Sequence, residues 1–411
     1  MNKIKQLSLS RRSGRKSTMT APHSLPESRV VNPVTSQPAI LTTTNTFRGE
    51  NGGGVGGPGS RTLSGEGGTD PFVRNSLGSV PAYVLEYAPM VHLNSNEPFW
   101  PASLEEHLRH TILHDHAPDG PATRPADHHH PCSILALPQF NHERCYLTAN
   151  TDVKPAPTDH PWLVSLEGKP GPDAKSQVSP VILILVDKSI ITGVPGTLDA
   201  FWFFFYSFNL GPTVANIHFG NHIADWEHCM IRFENGTPKA AHLSAHADGS
   251  AYTYDCLEKF QGGKRPVIFS ALGSHAMYTK PGTHDYSPVK FVGPTDHTDR
   301  GPLWDPTLNF AAFQHYPSPA RDKFRAIDED KDGKLVPCLK FRGQWGDQFS
   351  SPPINPQKAG GWMANMNMFQ PMKRTMSLHN LRWGDGVTGP RDKDLDRAGM
   401  NRYSHRIHTS I

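Results

Sequence analysis

The chain has 411 residues, 36% of them apolar, with 36 glycines and 38 prolines. That length allows one large domain or two ordinary ones, and so many turn formers exclude a helical bundle in favour of short strands, turns and disorder. A formal net charge of +3 gives no electrostatic footprint for nucleic acid or for an acidic membrane surface.

The cysteines, Cys132, Cys145, Cys229, Cys256 and Cys338, are odd in number and form no C-x-x-C pair. This excludes a zinc ribbon or a CxxC redox motif and makes a reducing compartment the default expectation, with one or two disulfides left open. The longest apolar runs, Pro180 to Val186 and Ala200 to Phe205, fall far short of the roughly 20 residues that a membrane-spanning helix needs. The opening segment has no apolar core of the kind a secretory signal peptide requires. It carries Lys3, Lys5, Arg11, Arg12, Arg15 and Lys16 with no acid before Glu27. A mitochondrial transit peptide has this composition too, but without a sustained apolar face a solvated basic tail is the preferred reading. A cytoplasmic or vacuole-associated location is expected.

In chain order, residues 1–78 read as a disordered tail. They are rich in Ser, Thr, Gly and Pro, including Asn51-Gly-Gly-Gly-Val-Gly-Gly-Pro-Gly-Ser60, and cannot bury enough apolar surface to offset their ordering entropy. Residues 79–411 read as one β-rich domain. Ala82 to Leu93, ended by Asn94-Ser95-Asn96, predicts a strand and turn. Ser103 followed by Glu106 fits a capping box, and Leu104, Leu108 and Ile112 predict a helix over 104–114. Residues 115–132 predict a loop. Val181 to Val186 has the composition of a strand buried on both faces, and Ala200 to Phe208 is a second, aromatic strand. Further strands are expected at 226–233, 240–246 and 266–271, with loops beyond 300. The fold class is therefore mainly β, a β-sandwich core with short helices at the periphery.

The densest chemistry lies in Gly220-Asn-His222-Ile-Ala-Asp225-Trp-Glu227-His228. Strand alternation over 225–233 puts Asp225, Glu227, Cys229, Ile231 and Phe233 on one face. Two carboxylates side by side at a partly dry site require a cation or a shared proton. A divalent ion supplies the first, and oxygen ligands select Mg²⁺, Ca²⁺ or Mn²⁺. His222, in the preceding turn, and His246, at the end of strand 240–246, are further candidate ligands. The alternative is that both acids face solvent or pair with arginines.

A second group, Gly273-Ser-His275-Ala-Met-Tyr278 to His284, follows the predicted strand 266–271, so that His275 or His284 could serve as acid or base. Asp296-His-Thr-Asp299 to Asp305 could add carboxylates but reads better as turn chemistry. Asp328-Glu-Asp330-Lys-Asp332-Gly333 imitates an EF-hand opening, yet Leu339 stands where the bidentate Glu belongs. His128-His-His130 sits in the predicted loop. His107, His110 and His114 read as a stripe on a solvated helix face. No P-loop, G-x-G-x-x-G after a strand, G-x-S-x-G or kinase motif is present.

The sequence resembles the vacuolar protein sorting-associated protein 62 family of fungi and plants. The matching stretches run from Ala88-Pro-Met-Val-His-Leu and Phe99-Trp-Pro-Ala-Ser through Asp199-Ala-Phe-Trp-Phe-Phe-Phe-Tyr-Ser-Phe-Asn-Leu-Gly211, Phe219 to His228 and Gly273-Ser-His-Ala-Met-Tyr278. They end with Gly343-Gln-Trp-Gly-Asp347 and Thr388-Gly-Pro-Arg-Asp-Lys393, so they cover about 83–400. Ala224 stands where the pattern expects Gly. A more distant resemblance is to necrosis-inducing cytolysins, whose Gly-His-Arg-His-Asp-Trp-Glu motif is similar to 220–227. That likeness implies His222, Asp225 and Glu227 as ligands of a divalent cation in a glycolipid-recognising sandwich. Its further upstream carboxylate has no match, Asn209 lying nearest.

Three functions follow as expectations. The first is a vacuolar sorting protein that recognises a lipid head group, glycan or protein through a cation. The second is a metal-dependent or small-molecule-processing enzyme. The third is a structural module, with a cytolysin-like membrane binder as a variant of the first.

Overall fold

A computed structural model describes residues 77–115, 124–125, 132–140, 142–214, 217–218, 220–246, 248–285, 294–347 and 383–411. All belong to one compact unit, Gly67–Ile411. The expected disordered tail and most of the expected 115–132 loop, including His128-His-His130, lie outside the described residues.

The unit is mostly β. Its centre is an eight-stranded mixed sheet. From edge to edge the strands are Phe324–Ala326, Phe310–His315, Val181–Asp187, Thr197–Asn209, His222–Glu234, Thr237–Leu243, Ser250–Thr253 and Ile407–His408. The two 13-residue strands at its middle, Thr197–Asn209 and His222–Glu234, pair antiparallel along their whole length. Val181–Asp187 runs parallel to Phe310–His315 and antiparallel to Thr197–Asn209.

Both faces of this sheet are buried, which is why its central strands are continuously apolar. Val181, Leu183, Trp202, Phe204, Tyr206, Cys229 and Ile231 point one way, into a core shared with Val91, Ile268, Met277 and Trp304. Those last four residues come from a second, four-stranded sheet built from Met277–Tyr278, Val267–Ser270, Met90–His92 and Leu303–Trp304. The two sheets form the sandwich. Ile182, Ile184, Phe201, Phe203, Phe205, Trp226 and Met230 point the other way, against Leu104, Leu108, Leu147, Leu339, Phe341 and Trp345. Short helices and loops cover that second face.

Three expected elements are corrected. Ala82–Glu86 is a helix, and the strand is only Met90–His92. Pro81 starts the helix with φ −59°, and Pro89 prevents its continuation. The capped helix is Leu104–Arg109, with Ser103 Oγ accepting from the Glu106 N–H at 3.0 Å. It does not reach 114, because Thr111–Asp115 pairs with Cys145–Ala149, and the β-branched Thr111 and Ile112 suit that extended backbone. Beyond 300, Phe310–His315 is a buried interior strand.

Asp328 caps the short helix Glu329–Asp332, and Asp332 accepts from the Ala312 N–H at 2.8 Å, so neither builds a calcium loop. The histidine stripe is also corrected. His107 is fully buried, and His110 stacks on Trp162. His114 lies in the strand and stacks on Tyr146. Among the described residues Cys132, Cys229, Cys256 and Cys338 carry free thiols. No helix among them is long and apolar enough to cross a membrane.

Candidate functional site

The site forms at one end of the sandwich interior. Asp225 lies opposite Tyr206 and Glu227 opposite Phe204. Both carboxylates face the smaller sheet, on the face that carries Cys229, Ile231 and Phe233. They are almost completely buried, at 4% and 6% exposure. Just before them, Ala224 has φ +60°, a left-handed backbone that favours glycine. Ile223 and Ala224 consequently both point into the opposite core, and regular alternation starts at Asp225.

His275 reaches Asp225 from a tight turn between Val267–Ser270 and Met277–Tyr278. The turn closes with Ala271 and Ala276 hydrogen bonded at 2.9 Å and holds His275 at φ +55°. Its ring lies flat on Tyr206, with centroids 3.6 Å apart. Nδ1–H donates to Asp225 Oδ2 at 2.9 Å, and Nε2–H donates to the Phe99 carbonyl at 3.2 Å. Glu97 Oε1 stands 3.5 Å from Nε2. Burial by itself would lower the His275 pKa. The Glu97 charge and the bonds to Asp225 and Glu97 override it and push it up to about 10. His275 is thus a buried imidazolium clamped between two carboxylates. With both nitrogens engaged and no exposure, it has no atom to offer a substrate, which weighs against the expected acid–base role.

Glu227 is different. Burial, and then the neighbouring Asp225 charge, push its pKa up to about 8. The Ser244 hydroxyl donates to its Oε2 and in turn accepts from the His228 N–H at 2.6 Å. Lys393 is half-buried and faces both acids, burial lowering its pKa while Glu227 and Asp225 oppose that.

His246 follows the Thr237–Leu243 strand at φ +53°, and its side chain is 30% exposed. It contacts Asp296 Oδ2 at 2.7 Å, and that acid also accepts from Ser274 Oγ at 2.7 Å and Tyr278 OH at 2.6 Å. Burial works against His246 ionisation, but the Asp296 charge raises its pKa. His222, also partly exposed, turns Nδ1 to the Ala224 carbonyl at 2.7 Å, and burial lowers its pKa despite the Asp225 charge. His284 stacks on Tyr278 and contacts Thr298 Oγ1 at 2.8 Å, so it props the rim without touching Asp225.

The structure therefore gathers Asp225, Glu227 and His275, with His222 and His246 at the rim and His284 behind it. Among the described residues no three His, Cys, Asp or Glu side chains are grouped as a ready metal site. Glu97, Tyr206, Ser244 and Lys393 are additions that the motif did not reveal. Lys393 closes one of the stretches that carry the family resemblance. Asp296, read above as turn chemistry, instead holds His246. Asp305 does serve local structure, capping Pro306–Leu308 by accepting from the Thr307 N–H at 2.9 Å, whereas Asp299 accepts from the sequence-distant Ser95 N–H at 2.9 Å.

The model of the family described as vacuolar protein sorting-associated protein 62 matches residues 190–295, which contain the Asp225 strand. Two Saccharomyces cerevisiae proteins match over most of the chain. TDA6, provisionally classed as vacuolar protein sorting-associated, is 35% identical over 357 residues, covering 79% of this chain and 68% of the relative. Vacuolar protein sorting-associated protein 62 is 31% identical over 350 residues with the same coverage.

Solved structures with partial likeness include necrosis and ethylene inducing protein 2 from the agent of cocoa's witches' broom disease. It has TM-score 0.25 and 11% identity, over 49% of this chain and 69% of that one. Another is the NLPPya complex with glucosamine, with TM-score 0.24 and 10% identity, over 57% and 72%. The sequence relatives tie the chain to vacuolar protein sorting, and at this identity and coverage it belongs to the vacuolar protein sorting-associated protein 62 family.

Proposed function

We propose that the protein serves vacuolar sorting as a binding module, with the Asp225–Glu227 end of the sandwich taking a divalent cation and a cavity at the start of the same strand taking a hydroxyl-rich head group of a glycan or glycolipid. The observation that carries this reading is the pair of buried carboxylates on one strand face, with Glu227 held protonated by burial and by the neighbouring Asp225 charge. A cation would let Glu227 ionise beside Asp225. Oxygen donors suit Mg²⁺, Ca²⁺ or Mn²⁺, and His222 or His246 would have to leave Ala224 or Asp296 to join them. The clamped state of His275 favours binding over acid–base catalysis.

A cavity of about 620 Å³ supports the second half of the proposal. Thr148, Asn150, Asp152, Lys154, Asp347 and Trp383 line it. Trp383 bridges to Asn221, one residue before His222, so the cavity adjoins the start of the motif strand. Hydroxyl, amide and charged groups around one indole suit a polyhydroxylated ligand.

Titration calorimetry of chelator-stripped protein with Ca²⁺, Mg²⁺ and Mn²⁺ tests the cation. Uptake of a single ion, lost in Glu227→Gln with the fold intact, is expected, and no uptake overturns it. Glycan arrays with and without EDTA test the ligand. Ion uptake without any EDTA-sensitive glycan signal overturns that half alone.

A further inference from the structure

On the opposite face of the central sheet, His228 and His242 form a diagonal cross-strand pair. Their rings stack with centroids 5.5 Å apart, at 3% and 0% exposure. Among the described residues none of their four ring nitrogens has a hydrogen-bond partner. A single buried ring with both nitrogens orphaned calls for an explanation, and two adjacent ones mark a place where a partner of another kind belongs.

The surroundings say which kind. The 393–402 segment is pinned over this face. Lys188 Nζ donates to the Leu395 carbonyl and, at 2.9 Å, to that of Arg397, while Arg232 Nη1 donates to the Ala398 carbonyl at 2.7 Å. Arg397 lies over Phe201, whose ring neighbours His228. Arg397 Nε donates to Met400 O and its Nη1 to Lys393 O and Asp394 O, but Nη2 is buried and has no partner among the described residues. The full charges that act on the pair are those of Arg397 and Arg402, joined at His228 by Lys393. Three acids temper them. Asp199 is already bound bidentately by Arg232, Asp394 acts on Arg397, and Asp248 sits near Arg402 with Oδ1 unpartnered among the described residues.

We propose that His228, His242 and Arg397 Nη2 form a buried site for a small inorganic anion. Each neutral imidazole offers one N–H and the guanidinium another, a donor set matched to a halide or a phosphate oxygen. The neighbouring cations would repel a metal ion. The site lies on the sheet face opposite Asp225 and does not depend on the cation reading.

The test uses the full chain. Thermal unfolding is followed in chloride, bromide, phosphate and gluconate at constant ionic strength. A saturable rise in Tm of a few degrees with the small anions, absent in gluconate, is expected. A response to phosphate alone identifies the occupant as phosphate, and one shared with bromide identifies a halide-type site. Crystals soaked in bromide should show an anomalous peak within hydrogen-bond reach of both rings and Arg397. His242→Phe, which keeps a ring in the stack, should abolish the anion-specific rise. Equal responses in gluconate, or water density with no anomalous peak in wild-type crystals, overturn the proposal irrespective of how the variant folds.

Discussion

The imidazole of His275 lies parallel to the phenol of Tyr206, 3.6 Å away and 7° from coplanar, and this stack carries a positive charge into the sandwich between Glu97 and Asp225. A buried carboxylate left without its cation is far more costly than the intact group is favourable. His275→Phe would preserve the ring on Tyr206 but strand both acids, so it should lose about 3–5 kcal/mol of stability. Asp225→Asn leaves His275 facing Glu97 and should lose less, about 1–3 kcal/mol. Urea unfolding of the two variants checks the order. If Asp225→Asn proves the more damaging, Glu97 is not a partner in the clamp.

Ala224 gives a prediction of opposite sign. Its φ of +60° costs an L-residue energy that glycine does not pay. Ala224→Gly should therefore raise stability by up to about 1 kcal/mol, the strain relief exceeding glycine's entropy loss. A lowered Tm would mean that the buried methyl contributes more through packing than its backbone costs.

The central strands were legible because burial on both faces imposes an unbroken apolar run, as in Val181 to Val186. Phe310–His315 holds a comparable place beside that strand, but its small Ala311 and Ala312 and polar Gln314 and His315 hid it. The motif placed Asp225 and Glu227 on one face correctly, since that depends only on alternation within one strand. Glu97, Asp296 and Lys393 reach the site from remote parts of the chain, and their partners are set by how the sheets pack. His107 shows the same limit. Helical spacing placed it beside His110, but the packing of Trp345 and Phe205 decided that it would be buried.

Helix capping offers a local test. Ser103 Oγ satisfies the Glu106 N–H of a helix only six residues long, and Leu104 and Leu108 from that helix enter the core. Ser103→Ala should cost about 1 kcal/mol. Hydrogen exchange should speed up mainly at Glu106 and its neighbours. Uniform acceleration across the large sheet would show that the helix is coupled to global unfolding.

His107 is one of the buried neutral histidines that weaken the fold in acid. Its ring is fully buried, donating from Nε2 to the Trp345 carbonyl and accepting at Nδ1 from Ser207 Oγ, each at 3.2 Å. Burial lowers its pKa to about 3, against the opposing effect of the Trp345 hydrogen bond. Because the folded value lies below the unfolded one, the unfolded chain binds more protons between them. The stability this represents is therefore fully present above about pH 6.5 and is lost as pH falls toward 3. Through this residue alone the slope approaches about 1.4 kcal/mol per pH unit at its steepest. His107→Gln retains a donor and an acceptor without titrating. It should be less stable than the parent at pH 7, and its stability should fall less steeply from pH 6 to pH 4. Parallel acid limbs for the two proteins, measured by urea unfolding at each pH, would show that proton uptake at this ring does not drive the loss.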